Sequence, residues 1–242
     1  MPLFRLENVI RRHSGRVVLN LPHFEAYAGE ILGITGRNGS GKSTLLRLLA
    51  LLEAPDEGRI FLNGQPADAR NLAQRRQVTL LLQTPYLLSR SVQANVSYGL
   101  LARGTDAASA RAAAGEALRD VGLDPAIFAA RRRHELSGGE AQRVALAARL
   151  ALKPRALLMD EPTASVDEES AAKIADAARE AAGRGAAVIV VSHDRDWLAP
   201  LAQRLVRLTA GSLANDPHAA PTPLSTVLPD RAGANVAPAP AD

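Results

Sequence analysis

A glycine-rich octapeptide carries the first chemistry that can be read from this chain. It runs Gly36-Arg37-Asn38-Gly39-Ser40-Gly41-Lys42-Ser43 and fits the pattern G-x-x-x-x-G-K-[ST]. Backbone N–H groups of such a loop can surround a β-phosphate, and a following helix adds the positive end of its dipole. Lys42 would bridge the β- and γ-phosphates, the Ser43 hydroxyl would bind Mg²⁺, and Thr44 can donate near the α-phosphate. The alternative is a glycine turn before a helix, but a turn alone requires neither the lysine nor the serine.

Two consecutive acids follow an apolar segment later in the chain. Asp160 and Glu161 come directly after residues 156–159. In open parallel sheets, ligands lie beyond the carboxyl ends of the strands, so both acids are expected to point toward the phosphates. Asp160 would hold Mg²⁺ through water, and Glu161 would polarise the water that attacks the γ-phosphate. Acids that cap a helix after a strand are the alternative.

The segments around these motifs alternate between strand and helix patterns. Residues 31–35 predict a strand that leads into the glycine loop, and leucines at helical spacing continue from Leu45 until Pro55. After a helix at 137–152, the pattern predicts a strand at 156–159, a helix at 168–182 and a strand at 187–191. This alternation predicts a parallel α/β sheet.

Other segments predict additions to that sheet. Residues 3–10 and 16–21 are short apolar stretches separated by a polar turn, which is typical of a hairpin. Residues 59–62 and 76–82 predict two further strands, and the alanine-rich region 92–130 predicts an inserted helical subdomain.

Composition limits the class of protein. The chain has 242 residues, 47% of them hydrophobic, which is enough for one substantial core. The sequence contains no cysteine, which fits a reducing compartment, and no apolar run long enough to predict a membrane span or a signal peptide. A net charge of +4 is a weak indicator of nucleic acid, so no nucleic-acid partner is expected. The proline- and alanine-rich residues 214–242 predict a disordered tail without a catalytic role.

A second peptide gives the chain its family resemblance. Leu136-Ser137-Gly138-Gly139-Glu140 precedes the acid pair and resembles the signature sequence of the ATP-binding-cassette (ABC) family. The resemblance implies a P-loop NTPase of the α/β class, with a RecA-like mixed sheet, an N-terminal antiparallel β subdomain and a helical subdomain inserted at about 84–150. The nucleotide-binding domain is then expected at 1–213. In that family the signature serine and glycines contact the γ-phosphate of an ATP bound by the other subunit.

Further positions match the family in order. Gln83 resembles the Q-loop glutamine, which would touch Mg²⁺ and the attacking water. Asp167 occupies the D-loop. His193 resembles the switch histidine, which would hydrogen-bond the γ-phosphate and help to orient Glu161. His13 stands where an aromatic residue usually stacks on adenine, and imidazole stacks less extensively.

Three further departures from the family pattern remove no group that the chemistry needs. Glu140 replaces the commoner glutamine, Val166 replaces leucine in the D-loop, and Gln203 stands where an aspartate often precedes Arg204.

The resemblance implies an ATPase subunit that binds ATP and Mg²⁺ and works as a dimer. The second nucleotide-binding subunit is either another copy of this chain or a different cassette, and the sequence leaves both open. The expected partners are a separate membrane permease and an extracytoplasmic solute-binding protein, with the chain bound peripherally to the inner, cytoplasmic face of the cell membrane. Residues 89–100 resemble the permease-docking stretch of importer subunits, most closely those for tungstate-type oxyanions.

Several alternatives stay open at the level of sequence. The chain is either an importer subunit or a subunit of an efflux or lipoprotein-release system, because the cassette motifs do not distinguish direction. A soluble cassette acting on DNA or the ribosome would usually show two cassettes or a long coiled-coil insertion, neither of which is visible. A degenerate, scaffold-only cassette is disfavoured by Lys42, Asp160, Glu161 and His193. The transported solute is not specified.

Overall fold

The computed structural model describes residues 1–214. The strands are β1 (Pro2–His13), β2 (Arg16–Tyr27), β3 (Ile31–Thr35), β4 (Glu57–Leu62), β5 (Gln65–Pro66), β6 (Val78–Leu81), β7 (Ala156–Asp160), β8 (Ala187–Val191), β9 (Arg204–Thr209) and β10 (Ser212–Ala214). The α-helices are α1 (Lys42–Leu49), α2 (Leu72–Arg75), α3 (Val92–Leu101), α4 (Ala107–Asp120), α5 (Pro125–Phe128), α6 (Gly138–Leu150), α7 (Glu168–Gly183) and α8 (Arg195–Leu198). The predicted tail lies outside the described residues except for Ala214, which ends β10.

Two sheets organise the fold. The first is antiparallel, with the strand order β2-β1-β4-β5, and contains the hairpin predicted near the start. The second has the order β10-β9-β3-β8-β7-β6, in which β9, β3, β8, β7 and β6 are parallel and β10 is antiparallel. The carboxyl ends of β3 and β7 therefore meet at one edge, as the sequence predicts for the glycine loop and the acid pair.

The central strands separate two hydrophobic cores. Side chains of a strand alternate between its two faces. Leu157 and Met159 of β7 pack with the helical side of the molecule, whereas Leu158 packs with α1 and the antiparallel sheet. Strands β7 and β8 are apolar on both faces for this reason, which is typical of parallel strands in the middle of an α/β protein.

Helix α1 is shorter than its leucines predict. The helix ends at Leu49, although the apolar pattern continues toward Pro55. Leu51 adopts a left-handed φ of 54°, and the N–H groups of Leu51 and Leu52 donate to the carbonyls of Leu48 and Arg47. These two bonds form a Schellman motif, which usually has glycine at its left-handed position. Because leucine takes the place of glycine here, the sequence gives no signal for the end of the helix.

Helices α3 to α6 lie between β6 and β7 in the chain and pack on one another. They form the helical insertion, with α6 leading back to the sheet. Within residues 1–214, every helix is too short or too polar to span a membrane.

Candidate nucleotide site

The glycine loop connects β3 to α1, as its sequence predicts. Gly41 caps the helix with a left-handed φ of 104°, and a Cβ at this position would lie 2.7 Å from the carbonyl oxygen of Val18. Any other residue would be strained and would collide with β2. The first N–H groups of α1 therefore face the loop interior, where an anion can bind.

Lys42 lies inside this loop. Its side chain is almost completely buried, with the residue 7% exposed, and its Nζ donates to the carbonyl oxygens of Gly36 at 2.7 Å and Arg37 at 3.2 Å. The ammonium group thus sits where the loop backbone curves most closely around it. Phosphate oxygens of a nucleotide are stronger acceptors for this group than the neutral carbonyls, so the loop fits a polyphosphate.

Asp160 approaches the start of α1 from the end of β7. Partial burial raises the pKa of its carboxyl group above the ordinary value, the nearby Ser43 hydroxyl opposes this rise, and nearby Glu161 adds to it. No group of three or more His, Cys, Asp or Glu residues within residues 1–214 can hold a metal ion by itself. A hydroxyl beside one carboxylate nevertheless fits Mg²⁺, which keeps several waters and binds through one or two protein oxygens together with substrate phosphates.

Glu161 is held in an unusual backbone conformation beside His193. It follows β7 with a left-handed φ of 47°, and its N–H donates to Val191 O at 2.9 Å. Its Oε2 accepts a bond from the His193 N–H at 3.1 Å and lies 2.8 Å from His193 Nδ1. The Glu161 side chain is 11% exposed and the His193 side chain 69% exposed. The carboxylate is thus fixed at one oxygen, while the imidazole reaches solvent.

A cavity of about 400 Å³ joins these groups. It is lined by Val18, Asn38, Gly39, Gly41, Lys42, Ser43, Thr44, Gln83, Asp160 and Glu161. The structure thus brings together most of the loop, both acids and the Q-loop glutamine. Gly36, Arg37 and Ser40 belong to the loop but do not line the cavity.

The adenine-stacking position is less well matched. His13 is exposed at the end of β1 and does not line the cavity, whereas Val18 of β2 does. An apolar residue within a strand carries no sequence signal for a ligand, so Val18 could be found only from the fold.

A larger cavity, of about 830 Å³, lies elsewhere. Arg155 and Ala186, which precede β7 and β8, are among its lining residues. It is therefore at the opposite edge of the parallel sheet and contains none of the motif residues. Its size is not a reason to place the chemistry there, because the loop and both acids line the smaller cavity and His193 contacts one of those acids, Glu161.

The signature peptide lies at the start of α6, away from the cavity lining. Ser137 caps the helix: its Oγ accepts from the Glu140 N–H at 3.1 Å, and Glu140 Oε2 accepts from the Ser137 N–H at 2.7 Å. This is a capping box, which satisfies two N–H groups at the helix start. Glutamate in place of glutamine adds a negative charge here, and Arg131 Nη1 lies 3.7 Å from Glu140 Oε1 and offsets it.

The D-loop aspartate caps the next helix. Asp167 Oδ1 accepts from the Ser170 N–H at 2.7 Å, Oδ2 accepts from Ser170 Oγ at 3.0 Å, and these bonds lower the Asp167 pKa. Gly139 packs directly on this cap, since a Cβ on Gly139 would lie 2.3 Å from Ser170 Oγ. The signature and the D-loop are therefore in contact within one chain.

The ABC transporter family matches residues 19–164, more than half of the chain. The chain belongs to the ABC transporter family. Its similarity to known ABC ATPases extends beyond that segment. It is 36% identical to the tungstate uptake system ATP-binding protein TupC of Peptoclostridium acidaminophilum, over 85% of this chain and 94% of the relative.

Two other relatives carry different transport descriptions. The chain is 40% identical to a probable anion import ATP-binding protein of Haloferax volcanii, over 76% of this chain and 69% of the relative. It is 33% identical to the lipoprotein-releasing system ATP-binding protein LolD of Aquifex aeolicus, over 88% of this chain and 97% of the relative. The ABC ATPase also superposes on a dimeric ATP-binding cassette in a post-hydrolysis state bound to ADP and Pi, with a TM-score of 0.78 and 28% identity, over 88% of this chain and 97% of that one.

These findings confirm the main predictions from sequence. The chain has the mixed α/β fold of a P-loop NTPase and is the ATPase subunit of an ABC transporter, with ATP and Mg²⁺ as its ligands. When bound, Mg²⁺ neutralises charge on the phosphates.

Proposed function

We propose that Glu161 is the general base of this ABC ATPase and that His193 holds it in place. The observation that carries this proposal is the Glu161 carboxylate, which lines the phosphate cavity while its Oε2 lies 2.8 Å from His193 Nδ1. With one oxygen fixed, the other is free to accept a proton from water. Because the His193 side chain is 69% exposed, it can also donate to a γ-phosphate.

The remaining cavity residues divide the binding of Mg·ATP in this proposal. Ser43, Asp160 and Gln83 hold Mg²⁺ directly or through water, and Lys42 with the loop N–H groups binds the β- and γ-phosphates. Ser137, Gly138, Gly139 and Glu140, with Asp167, serve the ATP of a second cassette. Their absence from this chain's own cavity lining supports that assignment.

We further propose that the ABC ATPase energises uptake of an oxyanion of the tungstate class. The similarity to TupC supports this solute class because it covers 94% of that protein. The similarity to the probable anion import protein of Haloferax volcanii supports import and a negatively charged solute. The chain would work at the inner face of the cell membrane, beneath a permease that receives the anion from a solute-binding protein.

An exposed apolar face offers a place for the permease. Tyr86 is 74% exposed and Tyr98 50% exposed, and Leu82 and Leu101 are each 47% exposed. The buried Asn95 side chain of α3 accepts from the Leu88 N–H and donates to the Leu88 carbonyl. These two bonds fix the loop before α3, which carries part of this face, to the helix. Single exposed apolar residues are normal, whereas four of them within residues 82–101 support a binding surface in this part of the chain.

The charge of the same segment defines the partner. Residues 69–105 contain five arginines and no aspartate or glutamate. The Arg90 guanidinium lies 5.9 Å from the Tyr98 ring centroid. Burial lowers the pKa of Arg103, and the positive charge of nearby Arg76 lowers it further. We therefore assign this face to a cytoplasmic permease segment that carries apolar and acidic side chains.

The uptake proposal is tested in the source organism after deletion of this chain. Tungstate accumulation, measured by mass spectrometry of washed cells, is expected to return with the wild-type chain and to stay low with Glu161→Gln. Loss of a general base lowers kcat by about 10²–10⁴-fold. Molybdate, sulfate and phosphate accumulation are measured in the same cells to define the solute.

A lipoprotein-release function is the second candidate, favoured by the similarity to LolD over 97% of that protein. It predicts unchanged oxyanion uptake in the deletion strain and lipoproteins retained in the membrane where they are made. ATP hydrolysis by the purified wild type, with none by Glu161→Gln, is expected under either function. Hydrolysis that survives in Glu161→Gln would contradict the role of Glu161. That result would say nothing about which solute is transported.

A further inference from the structure

Helix α6 covers the free edge of the six-stranded sheet. Among residues 1–214, strand β6 is the last strand of that sheet, so only one of its edges pairs with another strand there. The Leu80 carbonyl accepts from Arg149 Nε and the Leu82 carbonyl accepts from Gln142 Nε2, each at 3.3 Å. Alternate carbonyls of a strand point to the same side, and Gln142 and Arg149, two helical turns apart, lie on one face of α6. The helix thus bonds the edge that has no strand neighbour.

The hydrogen bonds of the Gln142 side chain are few and long for a group that is almost completely buried. Its side chain is only 1% exposed, its one bond to Leu82 is long, and its Oε1 has no hydrogen-bond partner within residues 1–214. A buried acceptor without a partner lowers stability, whereas an apolar side chain of the same shape avoids that loss. Stability alone therefore does not account for an amide at this position.

The place of this amide in the chain suggests what it controls. Gln142 is on the helix that Ser137 caps, so it moves with the signature peptide. Leu82 immediately precedes Gln83, which lines the phosphate cavity. One side chain thus connects the signature helix to the backbone that carries Gln83.

We propose that Gln142 is a positioning residue that holds Gln83 at the phosphate cavity and links its position to that of the signature helix. The inference rests on the role proposed above for Gln83 but not on the transported solute. When α6 moves, the Leu82 carbonyl moves with it through Nε2. The unpartnered Oε1 gives the same amide an acceptor for an N–H of the Q-loop in a second position of that loop.

The first test replaces Gln142 by methionine, which keeps the length of the side chain and removes its donor. The Gln142→Met enzyme is expected to lose about tenfold in kcat, the effect of one hydrogen bond that positions a reacting group. KM for Mg·ATP is expected to change less than kcat does, because Lys42, the loop, Ser43 and Asp160 still bind Mg·ATP when the contact of Gln83 is weakened. Gln203→Met is the matched control: the Gln203 side chain also bonds a distant backbone group, since its Oε1 accepts from the Ile31 N–H at 2.5 Å, and neither residue lines the phosphate cavity.

A double-mutant cycle separates positioning from general damage. If Gln142 acts through Gln83, Gln142→Met lowers kcat in the wild type and has no further effect in a Gln83→Ala background. Equal losses in both backgrounds, or a kcat for Gln142→Met like that of Gln203→Met, would overturn the proposal. A Gln83→Ala enzyme with full kcat would overturn the role of Gln83 and this inference with it.

A second variant keeps the test decisive should Gln142→Met fold poorly. Gln142→Glu preserves the shape, and its carboxyl group can donate to the Leu82 carbonyl only when protonated. Burial raises the pKa of a carboxyl group, so protonation is within reach of mildly acid buffers. The kcat of Gln142→Glu relative to wild type is expected to rise as pH falls, and a ratio independent of pH would contradict the donor role.

Discussion

At the residue scale, the two acids after β7 show how one backbone angle creates a site. Consecutive residues of a strand point to opposite faces. Asp160 and Glu161 nevertheless line the same cavity, because Glu161 leaves the strand with a φ of 47°. A left-handed conformation at a glutamate costs free energy and persists only where its surroundings hold it. Here the bonds to Val191 and His193 do so.

Asp160 is expected to reduce the stability of the nucleotide-free protein. Burial raises its pKa, so the folded state holds a proton more tightly than the unfolded state does. Stability therefore falls as pH rises from the ordinary value of 3.8 through the raised pKa, and at neutral pH the charge is a net cost. Asp160→Asn should raise the thermal midpoint at neutral pH, while ATPase activity with Mg²⁺ falls by about 10²–10³-fold.

The pH dependence of the midpoint checks this explanation. The gain from Asp160→Asn should disappear in acid, where the wild-type carboxyl is protonated as well. Asp56→Asn is a control of opposite sign, because the Arg12 N–H bond lowers the Asp56 pKa and its charge therefore stabilises the fold. A lower midpoint for Asp160→Asn at neutral pH would mean that the favourable effect of the nearby Ser43 hydroxyl on the charged carboxylate outweighs the cost of burial.

Sequence reasoning succeeds at this scale where chemistry is local. The glycine loop and the acid pair are contiguous peptides with few alternative uses, so their chemistry can be predicted before any fold is known. Gln142 could not be found in this way, since its partner Leu82 lies 60 residues away and a glutamine in a helix is unremarkable. Val18 could not be predicted as a residue of the cavity for the same reason: its position there depends on residues far away in the chain.

At the element scale, the signature helix and the D-loop helix meet at their N-termini. Gly139 lies against the Asp167–Ser170 cap, where a Cβ would be 2.3 Å from Ser170 Oγ and 2.6 Å from Asp167 Oδ2. Neither distance is tolerated by a real side chain. The family signature therefore requires glycine here for packing within one chain, in addition to any contact with a partner's nucleotide.

Gly139→Ala is expected to separate these two helices. Overpacking of this kind lowers the free energy of unfolding by about 1–3 kcal/mol. ATP-dependent dimer formation should also weaken, because the helix cap and the signature peptide shift apart. It is measured by light scattering, with Gly139→Ala introduced into the Glu161→Gln variant. Gly138→Ala is the matched control for stability, because its Cβ would meet Ser165 O at an ordinary 3.5 Å. Equal unfolding curves for both variants would show that α7 yields without cost.

At the scale of the whole molecule, the cavity depends on both sheets. Val18 comes from the antiparallel sheet, and the acids come from the parallel one. The turn between β9 and β10 joins the two at the phosphate loop, because Gly211 donates to Ser40 O at 3.0 Å and accepts from the Asn20 N–H at 2.7 Å. The alternation of strands and helices predicts the parallel sheet, but these long-range contacts leave no local pattern in the sequence.

A buried ion pair connects the same two sheets at the opposite edge. Arg204, the first residue of β9, binds Glu30 through Nε at 2.6 Å and Nη2 at 3.0 Å, and Nη2 also donates to Glu25 O of β2 at 2.7 Å. Glu30 in turn accepts from the Tyr27 N–H at 2.9 Å. The side chains of Arg204 and Glu30 are only 16% and 3% exposed, so water cannot replace a missing partner.

Removing Glu30 should therefore destabilise the junction far more than removing an exposed partner. Glu30→Ala leaves a buried guanidinium unpaired and is expected to lower the free energy of unfolding by about 3–5 kcal/mol, measured by urea denaturation. Glu57→Ala breaks the exposed pair with Arg12 and should cost less than about 1 kcal/mol. Because the charge is the cause, Arg204→Met in the Glu30→Ala background should recover part of the loss. A double variant less stable than Glu30→Ala would instead assign the junction to the bonds that Arg204 makes with the β2 backbone.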